Sequence, residues 1–228
     1  MKMTKAELSE KIDELNHEIR RYKRALKQIE IDVNIQKTVN INIERNVVPN
    51  ERVDAVLKQA EYEWNLDVTE PGGGGLSERI TYYIKNANAL GWSWEDDYTR
   101  NGQFAWCGAF AAACYSDRVR SNVRSKIFSS CYRMYDNWSS TSRSQLPSNL
   151  RPGDLVIVYT SSEKTPIYGN HITLATSKPD QAGNFETVEG NAFGNGPDGQ
   201  WREGVSKRTR NLADVAFVYR LLDEDYNE

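Results

Sequence analysis

The chain is poor in the residues that build most metal and redox sites. Its 228 residues include three cysteines and two histidines. A small, odd set of thiols excludes a disulfide framework, and Cys131 has no partner at the spacing of a metal-ligand pair. No basic block stands out, since 29 Lys and Arg face 32 Asp and Glu, so nothing points to a nucleic-acid partner. No apolar run approaches membrane-spanning length, and Met1 to Glu7 carries no apolar region of a secretory signal. The expectation is a soluble protein made in the cytoplasm, whose target, if outside, must be reached by other means. The run Gly72 to Gly75 is followed by no Lys-Ser/Thr pair and preceded by no strong strand. It is a flexible turn, not a phosphate loop.

Aromatic residues, by contrast, are plentiful. The 6 Trp and 12 Tyr suit a carbohydrate- or peptide-binding cleft as well as an ordinary core. The most apolar stretch is Phe104-Ala105-Trp106-Cys107-Gly108-Ala109-Phe110-Ala111-Ala112-Ala113-Cys114-Tyr115. It follows a polar, turn-rich segment, and its small helix formers can pack on every side. Cys107 therefore falls at the start of a helix. There the macrodipole and unpaired N–H groups favour a thiolate, and the same N–H groups can hold an oxyanion. A cysteine in an apolar run is also commonly a small core hydrophobe. Cys114, two turns further on, is read that way.

Taken in order, the chain opens with Leu8, Ile12, Leu15, Ile19, Tyr22, Leu26, Ile29 and Val33. These alternate at intervals of 4 and 3, the seam of a coiled coil. Residues 1–34 are assigned as a coiled-coil helix that self-associates through positions 8–33. A single helix lying on the globular part is the alternative. Val39, Ile41 and Ile43 then alternate with polar residues, which assigns 35–49 as short connector strands. The domain proper covers 50–228. It begins with a helix bearing Val53, Val56, Leu57, Ala60 and Trp64 on one face, and a second helix capped by Ser77. Met134, Tyr135 and Trp138 form an amphipathic turn or short helix in a polar region, where Cys131 lies in a loop-like segment. Strands follow over 155–159, 171–176, 185–189 and 215–221, separated by Gly- and Asn-rich turns. Helices first and strands second predict an α+β fold, with helices packed on an antiparallel sheet.

His17 lies at a polar position of the coiled-coil helix and is read as solvated. His171 opens a strand, and the next strand ends in Glu189-Gly190-Asn191. Glu189 and Asn191 are two apart, so by strand alternation they point the same way. Either could bind the far ring nitrogen of His171 and orient the imidazole towards a thiol.

Residues Leu57 to Leu221 resemble a CHAP domain, a cysteine- and histidine-dependent amidohydrolase/peptidase of the papain-like, NlpC-type superfamily. The resemblance rests on Trp106-Cys107-Gly108-Ala109-Phe110, Arg151-Pro152-Gly153-Asp154-Leu155-Val156, Gly169-Asn170-His171-Ile172 and Val188-Glu189-Gly190-Asn191. Glu70-Pro71-Gly72, followed by Ile80 and Tyr83, is similar to the lead-in of a phage and prophage branch. The family pattern usually has glycine directly before the histidine, where this chain has Asn170.

The resemblance implies a papain-like arrangement in which Cys107 is the nucleophile and His171 the general base, then acid. Glu189 would orient His171, Asn191 would hold the ring or polarise the site, and Gln103 would be an oxyanion donor with the Cys107 N–H. Trp92, Trp94, Trp106 and Trp201 are candidates to line a substrate cleft, with core packing as the alternative for each. Some members bind calcium in an acidic loop before the cysteine. Asp96 and Asp97 lack that loop's alternating pattern, so neither a metal nor another cofactor is expected. The implied activity is cleavage of an amide in bacterial peptidoglycan, by a muramoyl-alanine amidase or a peptide endopeptidase. The implied source is a bacteriophage, as a virion-associated lysin or an endolysin. The protein would be made in the host cytoplasm without a signal peptide and act on the cell wall, with other tail or virion proteins as partners. The rival reading is a structural assembly protein whose CHAP-like domain only binds wall peptides. A third is a toxin or effector acting on another amide.

Overall fold

Short apolar runs separated by Gly and Asn turns pair into a mixed helix-and-sheet unit. The computed structural model describes residues 50–70, 77–87, 105–129, 131–160 and 170–227, all within one compact unit, Val47–Glu228. The expected coiled coil and connector strands lie outside the described residues, as do Trp92, Trp94, Asp96, Asp97 and Gln103.

The helices are α1 (Asn50–Asn65), α2 (Glu78–Ala87), α3 (Cys107–Tyr115), α4 (Ser121–Ser129) and α5 (Cys131–Trp138). The strands are β1 (Ser144–Gln145), β2 (Leu155–Val158), β3 (His171–Ala175), β4 (Asn184–Asn195), β5 (Trp201–Asn211) and β6 (Val215–Tyr219). They form one sheet in the order β1-β6-β2-β3-β4-β5. Every pairing is antiparallel. The chain is thus α+β, with its helices ahead of its strands in sequence.

β2 is apolar at every position because both of its faces are covered. Leu155 and Ile157 join the helix-side core, while Val156 and Val158 join a second cluster with Leu150, Ala175, Phe185, Val215 and Val218. α3 lies at the centre of the helix side. All nine of its residues are buried, and it packs against α1, α2, α4, β3 and β4. A helix buried on every side needs an all-apolar circumference of small residues, which Cys107 to Tyr115 supplies. Ser77 Oγ accepts from the Ile80 N–H at the start of α2, and Ile80, Tyr83 and Ile84 are fully buried.

Three elements depart from the sequence expectation. Cys131 is not in a loop but is the first residue of α5. The polar stretch before it also folds as α4, burying Val123 and Ile127. β4 runs on to Asn195 and turns back into β5, an 11-residue strand with the sequence Trp-Arg-Glu-Gly-Val-Ser-Lys-Arg-Thr-Arg-Asn. Its charge hides it from pattern reading. As the last strand in the sheet order it has no strand beyond it among the described residues, its outer edge meeting the chain only at Val68 and Thr69, a position where charged residues are favoured.

Gly190 is fixed by packing. A Cβ there would lie 2.6 Å from Phe110 Cγ and 2.7 Å from Trp106 Cζ3. Only glycine lets β4 approach the first turn of α3 this closely, and that approach brings the cysteine helix and the Glu189 strand together.

Candidate active site

Cys107 occupies the first position of α3 and is nearly buried. Its Sγ meets the His171 ring and the backbone N–H groups of Ile172 and Gly108. Burial alone would raise the thiol pKa. The hydrogen bond and positive charge of His171, with those two N–H groups, overcome it and lower the pKa. His171 opens β3 opposite Val158. Its Nε2 lies 3.0 Å from Glu189 Oε2, which leaves Nδ1 for the thiol. Burial would lower the imidazole pKa, but its bonds to Cys107 and Glu189 raise it to about 9. Glu189 is fully buried on β4. Burial would raise its carboxyl pKa, yet Arg210 and His171 hold it at about 2. These shifts all act in the direction of a thiolate–imidazolium–carboxylate chain. A thiolate is the nucleophilic form of cysteine, and an imidazolium beside it can deliver a proton to a leaving group.

Glu189 has more partners than the imidazole. Arg210 Nε donates to Oε1 at 2.7 Å and Nη2 to Oε2 at 2.5 Å. Thr187 Oγ1 donates to Oε1 at 2.6 Å. Neither Arg210 nor Thr187 emerged from the sequence. With β5 recognised, alternation on paired strands would have placed both on the Glu189 face, because Thr187 opposes Arg208 and Phe185 opposes Arg210.

Asn191 is placed differently from the sequence expectation. Its Oδ1 accepts from the Trp106 N–H at 3.0 Å, and its Nδ2 donates to Glu70 Oε1 at 3.2 Å. The β4–β5 register shifts between Glu189 and Ala192, and Asn191 adopts a φ of 57°. Strand alternation therefore breaks at this residue, and its side chain turns to the entry of α3 instead of following Glu189 to the ring. There it accepts from a backbone donor that the short helix leaves orphaned. The indole N–H of Trp106 also donates to Glu70 Oε1. Glu70 thus ties Trp106 and Asn191 together at the helix entry.

Trp106, for which a cleft and a core position were both open, is a core residue. It is completely buried and stacks on Tyr83 with ring centroids 6.0 Å apart. Trp201 is 60 % exposed at the start of β5, with the Arg208 guanidinium 5.3 Å from its ring centroid. Cys114 is fully buried, and burial pushes its thiol pKa up. Burial, and then the charge of Cys107, push up that of Cys131. Among the described residues no group of three or more His, Cys, Asp or Glu could hold a metal ion, and no helix is long and apolar enough to cross a membrane.

No family model matches the chain, and no curated protein matches its sequence.

Proposed function

We propose that the protein is a thiol hydrolase of the CHAP type, with a papain-like arrangement of helix and sheet, that cleaves an amide bond in bacterial peptidoglycan. The observation that carries the hydrolase reading is the buried chain from Cys107 through His171 to Glu189. A purely structural domain has no need of a thiol, an imidazole and a carboxylate hydrogen-bonded in series at the start of its central helix. The peptidoglycan substrate rests on the resemblance of the motifs around Cys107, Asp154, His171 and Glu189 to that family.

In this reading the Cys107 thiolate attacks the amide carbonyl carbon. The negative charge that develops on the carbonyl oxygen is met by N–H groups at the start of α3, with Gln103 as the proposed side-chain donor. His171 gives its proton to the departing amine as the C–N bond breaks, leaving a thioester on Cys107. The neutral imidazole then takes a proton from water, which attacks the thioester and releases the acid and the thiolate. Glu189 keeps the ring oriented and balances its charge throughout. Self-association through positions 8–33 and a role as a virion-associated lysin or an endolysin complete the proposal.

Digestion of purified peptidoglycan by wild type and by Cys107→Ala, with mass spectrometry of the fragments, tests it. Amide-cleaved muropeptides from wild type alone support the reading and identify the bond. No product from folded, reduced wild type overturns it and leaves the wall-binding assembly protein.

A further inference from the structure

Glu189 is completely buried, and every charge-bearing partner it has among the described residues comes from β3 or β5. His171 of β3 meets Oε2. Arg210 of β5 spans both oxygens. Arg208, on the same strand, adds a second positive charge at longer range. Beyond His171 lies Cys107 of α3, whose charge also acts on Cys131 of α5. One carboxylate thus lies between two cations, only one of which belongs to the reacting pair. Were the carboxylate paired with the imidazole alone, burial would favour a neutral acid beside a neutral ring. A neutral ring gives the thiol no counter-charge. The two-pronged guanidinium, with Thr187 on Oε1, fills the acceptor positions of the carboxylate that His171 does not use and fixes its plane.

We infer that Arg210 is a positioning residue for the nucleophile: by fixing a negative charge on Glu189 it holds His171 as imidazolium and so keeps Cys107 a thiolate. The inference rests on the thiol-hydrolase reading but not on peptidoglycan as the substrate.

The test is the pH dependence of Cys107 alkylation by iodoacetamide, which needs no substrate. It is run in a Cys131→Ser background, with circular dichroism at each pH to follow folding. Arg210→Met keeps most of the side-chain volume and removes the charge. Loss of one close cation moves a carboxylate by about one to three pH units. The acid limb of Cys107 reactivity is therefore expected to move up by about one unit, and the plateau of ionised pair to narrow from both sides. Arg210→Lys, which keeps the charge without the fork, is expected to recover much of that shift. A folded Arg210→Met with wild-type limbs overturns the inference and leaves Arg210 a purely structural partner of a buried acid.

The double variant Glu189→Gln/Arg210→Met leaves no uncompensated charge, so it remains assayable where Arg210→Met alone is unstable. It is expected to reproduce the profile of Glu189→Gln, because Arg210 acts only through that carboxylate. A further shift in the double variant overturns the inference equally. Failure of wall digestion with these limbs intact would remove the substrate assignment and leave the role of Arg210 standing.

Discussion

Replacing His171 with Ala isolates the central electrostatic claim. At Cys107 burial is the largest influence and raises the pKa, and the imidazole is the strongest group opposing it. Without the ring, only the N–H groups of Ile172 and Gly108 remain to oppose burial, so the thiol pKa rises back toward its ordinary 9.0. A thiol at 9.0 is about 1 % ionised at pH 7, and one above it less. In wild type the pair is ionised from the depressed thiol pKa up to that of the imidazolium, about 9. Alkylation of Cys107 by iodoacetamide is therefore expected to be flat across neutral pH. For a wild-type thiol fully ionised at pH 7, as the proposed thiol-hydrolase mechanism requires, the thiolate fraction in His171→Ala falls roughly 100-fold. A more basic thiolate is the better nucleophile, which returns roughly tenfold over such a shift and leaves a net loss on the order of tenfold. The profile also changes form, from a plateau to a single rise toward the ordinary thiol pKa of 9.0. The rate is read by mass spectrometry of the peptide carrying Cys107. Cys114 and Cys131, both pushed up by burial, serve as slow controls in the same digest. A folded His171→Ala that alkylates as fast as wild type, with a flat profile through neutral pH, refutes the ion pair.

Gly190→Ala places a methyl group against Phe110 and Trp106, which costs about 1–3 kcal/mol by overpacking and separates β4 from α3. Urea denaturation reads the stability, and Cys107 alkylation should fall with it. Asn191→Ala removes the acceptor for the Trp106 N–H, a loss of about 1 kcal/mol by the measure of helix caps. It should lower peptidoglycan turnover while leaving the alkaline limb of His171 in place, whereas a moved alkaline limb would return Asn191 to the ring. In acid, Glu189 has a folded pKa of about 2, below its ordinary 4.5. It therefore contributes stability that is full above pH 4.5 and lost as the pH falls through about 2. The shift corresponds to roughly 3 kcal/mol, and Glu189→Gln is expected to flatten the decline in melting temperature between pH 5 and pH 2.

Much of the framework was legible because single residue types dictate it. An all-apolar run of small residues admits only a helix buried on every side, and α3 is that helix. Leu155 to Val158 reads as a strand covered on both faces, and β2 is covered so. The faces of α1 and α2 follow from spacing, with Val56, Ala60, Ile80, Tyr83 and Ile84 all fully buried. What escaped were elements whose burial is decided by neighbours rather than by their own sequence. β5 carries a charged or polar residue at most positions because it is an edge among the described strands. Its Val205, Ser206 and Gly204 are buried only because β4 and the chain at Val68 lie against them. α4 is short and polar and gains its apolar partners from α3, whereas the Met134–Trp138 turn of α5 was legible from its aromatic spacing and only its start at Cys131 was not.

The site divides along the same physical line. Cys107, His171 and Glu189 lie where local rules hold: a helix start, a strand start and a regular strand position. Those rules made each a candidate and left Glu189 and Asn191 as alternatives, and the resemblance of the motifs to the CHAP pattern joined them. Asn191 lies where the rules stop. Strand alternation assumes an unbroken pleat, but beside Gly190, packed against Phe110, the β4–β5 register shifts and Asn191 takes a positive φ. Asparagine tolerates that conformation better than most residues. Here the same residue also supplies the carbonyl oxygen that receives the Trp106 N–H. The irregularity that spoils the period-two expectation thus lies at the contact that sets α3 against β4. Arg210 is hidden for the complementary reason. Its partner Glu189 is four ladder positions away through the pairing of β4 with β5, so its role depends on a hairpin that the charge of β5 conceals.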